Sequence, residues 1–225
     1  MKKKKPVSQR YGMSEVKHIC FDLDGTLVDS KNTIYKSTLA ALNKLKIATP
    51  VPEDKFSNMI GMHFIDIFRQ LDVEVPDIEL FIKIYKELYF HFISDSILYP
   101  DVEIVLKDLN QSGKIISLLT TKAQDQTEKI IDHFKLRNYF HCLMGRRYNI
   151  GYKPSPEPLL HICRELGVNS TETLIVGDTE LDILCGKNAG AKTCAVIYGY
   201  RKKDLLEKER PDFYISGLTE LRNYL

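Results

Sequence analysis

The sequence predicts an α/β fold. Its core is a parallel sheet covered by helices on both faces, a three-layer arrangement, and it carries an inserted all-helical domain. Three observations point there. Short β-branched apolar runs at Val16–Cys20, Ile115–Leu119, Phe140–Met144, Leu174–Val176 and Lys192–Ile197 are too short for helices and too apolar for one-sided strands. Helical periodicity separates them, which favours crossover connections. Between the first two runs, residues 31–97 show helical spacing and no strand signal.

Taken in order, residues 1–14 open with Lys2 to Lys5 and lack periodicity, and they read as a disordered basic tail. Residues 15–30 and 98–225 form the core. After the first strand, Leu27-Val28-Asp29-Ser30 leads into a helix to about Lys46, with Ser30 as its N-cap and Ile34, Thr38, Ala41, Leu42 and Leu45 on one face. Pro52 suits the first turn of the next helix, and Gly61 punctuates the chain before His63–Leu71. Pro76-Asp77 starts a longer helix, on which Phe81, Ile84, Tyr85, Leu88 and Phe92 repeat at helical intervals. Beyond Pro100, a helix bearing Val102, Val105, Leu106 and Leu109 precedes the second strand. Further helices follow at Gln124–Phe134, from Ser155-Pro156-Glu157, and at Glu180–Ala189. The chain ends with a helix near Asp204 and an edge strand near Phe213.

Bulk composition narrows the class. The 225 residues, 44% hydrophobic and 28% charged, suit one large domain or a domain with an insert. A net charge of +2 gives no footprint for nucleic acid, and Arg201-Lys202-Lys203 lacks interleaved aromatics. No apolar run reaches the roughly 18 residues of a membrane span. The five cysteines are an odd number without a CxxC pair, so they read as core residues in a reducing, cytoplasmic compartment. Gly186–Thr193 falls short of a P-loop because Ala191 replaces the second glycine and the segment links a helix to a strand.

Chemistry gathers where strands end. Open parallel sheets build sites at the carboxyl ends of their strands. The first strand delivers Asp22 and Asp24, two apart and so on one side if extended backbone persists that far, and Gly25 then turns the chain away. Two close carboxylates require a cation or a shared proton. The other strands add Thr120, Thr121 and Lys122, then Lys153, then Asp178 with Asp182 one helical turn on. Such a set suits Mg²⁺, a hard cation that takes oxygen ligands, and a phosphate ester whose spectator oxygens meet Lys153 and Thr120. One carboxylate can attack phosphorus, and the other can serve as general acid and base.

In order, these residues resemble the four motifs of the haloacid dehalogenase superfamily. Asp22-Leu23-Asp24-Gly25-Thr26 matches the first motif, Thr120 the second, Lys153 before Pro154-Ser155-Pro156 the third, and Gly177-Asp178 with Asp182 the fourth. Leu27–Ser30 and Gly186–Ala191 are similar to the phosphoglycolate phosphatase-like branch. The resemblance implies a Rossmann-like core with residues 31–97 as a mobile helical cap. It implies Asp22 as nucleophile and metal ligand, Asp24 as general acid/base with its main-chain carbonyl on the metal, and Asp178 as the remaining metal ligand. Thr120, Thr121 and Lys153 would hold phosphate, and Asp182 would hold a metal-bound water. His63, in Gly61-Met62-His63-Phe64, falls where relatives read the substrate, and Arg146 and Arg147, in a loop that is often acidic in relatives, are candidates to meet an anionic substrate tail, with Arg147 the expected specificity residue beside His63. The expected activity is Mg²⁺-dependent hydrolysis of a small phosphorylated metabolite such as phosphoglycolate, by a monomer or homodimer. Thr120-Thr121-Lys122 is similar to some pyrophosphatases of the branch. Alternatives are therefore inorganic pyrophosphate as substrate, a β-phosphoglucomutase-like phosphotransferase, and a non-enzymatic interaction module.

Overall fold

The computed structural model describes residues 16–224, so the expected basic tail at 1–14 lies outside the described residues. Six parallel strands form one sheet in the order β5-β4-β1-β6-β7-β8. They are β1 (His18–Phe21), β4 (Ile115–Ala123), β5 (Cys142–Arg146), β6 (Thr173–Gly177), β7 (Lys192–Val196) and β8 (Phe213–Ile215). The period-two alternation of the central strands splits their side chains between two cores. Ile19 and Phe21 enter one core with Leu106 and Ile130, while Cys20 enters the other with Leu159, Ile162 and Cys185. Both faces are thus covered: by α5 (Val102–Gln111) and α6 (Gln124–His133) on one side, and by α7 (Glu157–Leu166) and α8 (Glu180–Asn188) on the other. The five cysteines are free and buried. Among the described residues, no helix is long and apolar enough to cross a membrane.

Between β1 and β4 the chain makes α1 (Lys31–Lys44), α2 (Glu53–Ser57), α3 (Phe64–Gln70) and α4 (Ile78–His91). Aromatic packing holds them together. The Phe64 ring lies 5.0 Å from Phe81 and 4.6 Å from Tyr85, both edge-on, a geometry that aligns ring edges with π-faces. Asp77 caps α4 by accepting from the Leu80 N–H at 2.9 Å. The stretch is not wholly helical: Ile97 belongs to β3 (Ile97–Leu98), which pairs antiparallel with β2 (Val28–Asp29). A two-residue ribbon is too short to leave a periodic signal, yet it ties the entry of the helical insert to its exit.

Other boundaries shift for local reasons. β4 runs on past Leu119 because β-branched Thr120 and Thr121 continue the extended backbone, with a register shift before Ala123. β5 starts at Cys142 and ends at Arg146, which pairs with Ala123. Pro52 and Pro156 occupy the N-cap positions of α2 and α7, each one residue earlier than the expected first turn. Ser30 stands at the N-cap of α1, but its hydroxyl makes no cap bond. It turns toward Asp24 instead.

Register sets the site. Phe21 pairs with Leu118 on one side and Val176 on the other, so the residues just beyond each strand emerge side by side. His18 anchors the same three strands from the opposite end, with Nε2 2.7 Å from Ser117 Oγ and Nδ1 3.0 Å from Thr173 Oγ1. Burial, reinforced by His141, lowers its pKa from 6.5 to about 4. The folded state therefore holds a neutral ring while the unfolded chain takes up a proton, so this contribution is complete above the unfolded value and is lost as pH falls toward the folded one. Urea unfolding is expected to show about 2 kcal/mol of stability lost between pH 7 and pH 5 from this group. That portion of the pH dependence should disappear in His18→Gln.

Candidate active site

The centre of the site is the ammonium of Lys153. It donates to Asp22 Oδ1 at 2.6 Å, to Asp182 Oδ1 at 2.5 Å and to the Leu119 carbonyl at 3.0 Å. Asp178 completes the group: one carboxylate oxygen from each of Asp22, Asp178 and Asp182 lies within 4.8 Å of the others. All four side chains are buried. Each comes from a carboxyl strand end or its loop: Asp22 follows β1, Asp178 follows β6, Asp182 sits in the first turn of α8, and Lys153 precedes α7.

Several groups fix these acids. Thr179 and Asp182 form a capping box at α8, in which the Thr179 N–H and hydroxyl donate to Asp182 Oδ2 at 3.1 and 2.7 Å. Asp178 accepts from the Tyr200 N–H at 2.8 Å and from the Thr26 hydroxyl at 3.4 Å. The backbone comes unusually near: a Cβ on Gly25, whose φ is +86°, would lie 2.3 Å from Asp178 Oδ2, and one on Gly199 would lie 2.2 Å from Asp178 Cβ. Glycine is required at both places. Gly199 and Tyr200 were not singled out in the sequence, although a glycine just past the end of β7 was the available signal.

Charge is out of balance here. Burial pushes the Asp22 carboxyl up to about 7, against the pull of Lys153 and with the push of Asp182 and Asp24. Burial, with Asp22 and Asp182 beside it, pushes Asp178 well above the carboxylate range. Burial alone would lower the Lys153 pKa, but Asp182 and Asp22 outweigh it and raise the ammonium above its ordinary value. Three buried carboxylates against one ammonium leave room for a further cation. Hard oxygen donors of this kind fit Mg²⁺.

Asp24 faces elsewhere. Its carboxylate meets Lys122 Nζ at 3.0 Å and the Ser30 hydroxyl, and Tyr200 in turn accepts from the Ser30 N–H at 2.8 Å. Lys122 lies over the Tyr89 ring, 4.7 Å from its centroid. Asp24 and Lys122 floor a cleft of about 190 Å³ that reaches between the sheet rim and the helical insert. The Thr120 hydroxyl accepts from the Lys122 N–H at 3.3 Å. Thr121 lines the cleft, but its hydroxyl donates to the Gly61 carbonyl at 3.0 Å, which joins the rim to the insert. His63 also lines the cleft and lies 3.0 Å from Arg146 Nη1.

One expected site residue lies elsewhere. Arg147 does not face the cleft: its guanidinium donates to Gln124 Oε1 and the Leu143 carbonyl, each at 3.1 Å, and the cleft is lined by Arg146 instead. Asp182, expected to hold a metal-bound water, stands among the clustered carboxylates and accepts from Lys153.

Residues 19–196 match the family model described as haloacid dehalogenase-like hydrolase. A Clostridium perfringens protein provisionally named pyrophosphatase PpaX is 34% identical over 207 residues, covering 92% of this chain and 95% of that protein. A phosphoglycolate phosphatase from Aquifex aeolicus is 30% identical over 207 residues, covering 90% and 93%. The solved haloacid dehalogenase-like hydrolase SP0104 from Streptococcus pneumoniae superimposes with a TM-score of 0.84 over 94% of this chain and 99% of that one. At 21% identity this likeness concerns the fold.

Removing the ammonium leaves buried carboxylates without their partner. Lys153→Met is expected to cost about 3 kcal/mol of stability in metal-free protein, as for a broken buried ion pair. Urea unfolding in the presence of EDTA checks it.

Proposed function

The chain belongs to the haloacid dehalogenase-like hydrolase family, and from that premise we propose that it is a Mg²⁺-dependent phosphatase of a small phosphorylated metabolite, working through an aspartyl-phosphate. The observation that supports this most is Lys153 bridging Asp22 and Asp182, with Asp178 in the same buried cluster.

In this reading, Asp22 and Asp178, with the Asp24 main-chain carbonyl, would hold Mg²⁺, which would supply positive charge to offset the repulsion between a phosphate dianion and these carboxylates. Asp22 Oδ attacks phosphorus, and the bond to the leaving oxygen breaks. Lys153 and the Thr120 hydroxyl bind spectator oxygens of the phosphoryl group, where negative charge spreads in the transition state. Asp182 keeps Lys153 aimed at the site. Asp24 gives a proton to the leaving oxygen and then takes one from the water that hydrolyses the phospho-aspartate. Its contacts with Lys122 and Ser30 fix that carboxyl at the cleft, which supports this role. The helical insert, residues 31–97 as first bounded, acts as a cap that excludes water during the first step.

The substrate class named is a phosphoglycolate-like monoester. Inorganic pyrophosphate is the second reading, favoured by the Thr120-Thr121-Lys122 run and by the relative named for that activity. Phosphate release from 2-phosphoglycolate, pyrophosphate and p-nitrophenyl phosphate is expected with Mg²⁺ and is expected to stop with EDTA. Asp22→Asn should lower turnover by at least about 10⁴-fold, as for other essential nucleophiles. Asp24→Asn should lower it by about 10²- to 10⁴-fold. Turnover that survives Asp22→Asn contradicts the assignment. Isomerisation of a sugar phosphate without phosphate release moves the protein to the mutase class.

A further inference from the structure

The reading above leaves one end of the cleft without a task. Asp24, Glu79, Lys122 and Arg146 line the cleft together with apolar Ile60, Ile67 and Ile82. The cations bordering this space are committed differently. Lys122 is paired with Asp24, and Lys86 with Asp125 at 2.7 Å. Arg146 has no carboxylate within ion-pair distance among the described residues. Its partner is the His63 ring, 3.0 Å away at Nδ1.

That partner is uncharged. Burial, and the positive charge of Arg146 beside it, lower the pKa of His63. A guanidinium can only donate, so Nδ1 accepts and the ring proton sits on Nε2. Nε2 is buried and has no hydrogen-bond partner among the described residues. The Tyr152 ring packs edge-on against the imidazole with centroids 3.9 Å apart and holds it in place. The cleft therefore offers a guanidinium in no ion pair among the described residues and an imidazole N–H without an acceptor.

Topology supplies the scale. Arg146 ends β5, and β4 alone separates β5 from β1, which delivers Asp22. Two strand spacings amount to about 10 Å across the sheet. A phosphoryl group on Asp22, a second anionic group one or two bonds away, and an extended guanidinium together span such a gap.

We propose that Arg146, with His63, forms a subsite for a second anionic group on the substrate, a phosphate or a carboxylate. A planar guanidinium fork fits either. The inference rests on the proposed phosphatase function and names its substrate class: a phosphate ester or anhydride with a further negative charge close to the scissile bond. Arg147, next in sequence, cannot substitute, because its guanidinium is bound to Gln124 and Leu143.

The test compares wild type and Arg146→Gln on 2-phosphoglycolate, pyrophosphate and ethyl phosphate, the last lacking a second anion. Arg146→Gln is expected to raise KM for a two-anion substrate by about tenfold or more, the loss that a charge-assisted hydrogen bond carries. Its kcat/KM on ethyl phosphate should stay within about twofold of wild type, since no contact is lost there. A loss confined to pyrophosphate assigns the subsite to phosphate, and one confined to 2-phosphoglycolate assigns it to carboxylate. An equal loss on ethyl phosphate, or no loss on either two-anion substrate, overturns the proposal. Calorimetric binding of 2-phosphoglycolate and pyrophosphate to both proteins reads the subsite independently of turnover. If wild type hydrolyses none of the three, the phosphatase reading fails. The subsite then stands if Arg146→Gln weakens that binding about tenfold and falls if it does not.

Discussion

Buried negative charge governs this molecule. Asp22, Asp178 and Asp182 are held within 4.8 Å of one another in the interior, where ionised groups are costly without compensation. The Lys153 ammonium offsets part of that cost by bridging two of the three. What remains is a demand for another cation or for a proton. Neighbouring features serve the same confinement. Glycines at 25 and 199 let backbone close around Asp178, and the capping box of α8 fixes Asp182 while completing a helix end.

The sheet order makes the confinement possible. β1 lies between β4 and β6, so Asp22 emerges between Thr120 on one flank and Asp178 on the other. Residues more than 150 positions apart in sequence thus meet at one rim; Thr26 and Asp178, 152 positions apart, share a hydrogen bond. The helical insert leaves the rim just beyond Asp24 and is tied back by the β2–β3 ribbon, so a cleft opens directly above that carboxylate.

Much of this was legible in the sequence because the signals are local. Buried strands of a parallel sheet are continuous apolar runs, and Asp22 and Asp178 directly follow two of them. What escaped notice depends on direction and on contacts between distant segments. Ser30 looks like a helix cap, and its position is a cap position, but its hydroxyl is drawn to Asp24. Arg146 and Arg147 are adjacent, and only the coordinates show that one meets His63 while the other braces Gln124. Lys122 stands at a strand end, and its pairing with Asp24 at 3.0 Å depends on a contact between distant segments. The two-residue strands were too short to announce themselves, and Gly199 matters only because Asp178 lies against it.

The central claim is that the surplus of buried carboxylate is a magnesium site. Titration calorimetry of Mg²⁺ into the wild-type chain and into Asp178→Asn, with no substrate present, addresses it most directly. The account predicts a single binding event in wild type and its loss in Asp178→Asn. Equal binding by the two proteins, or no binding by wild type, contradicts it.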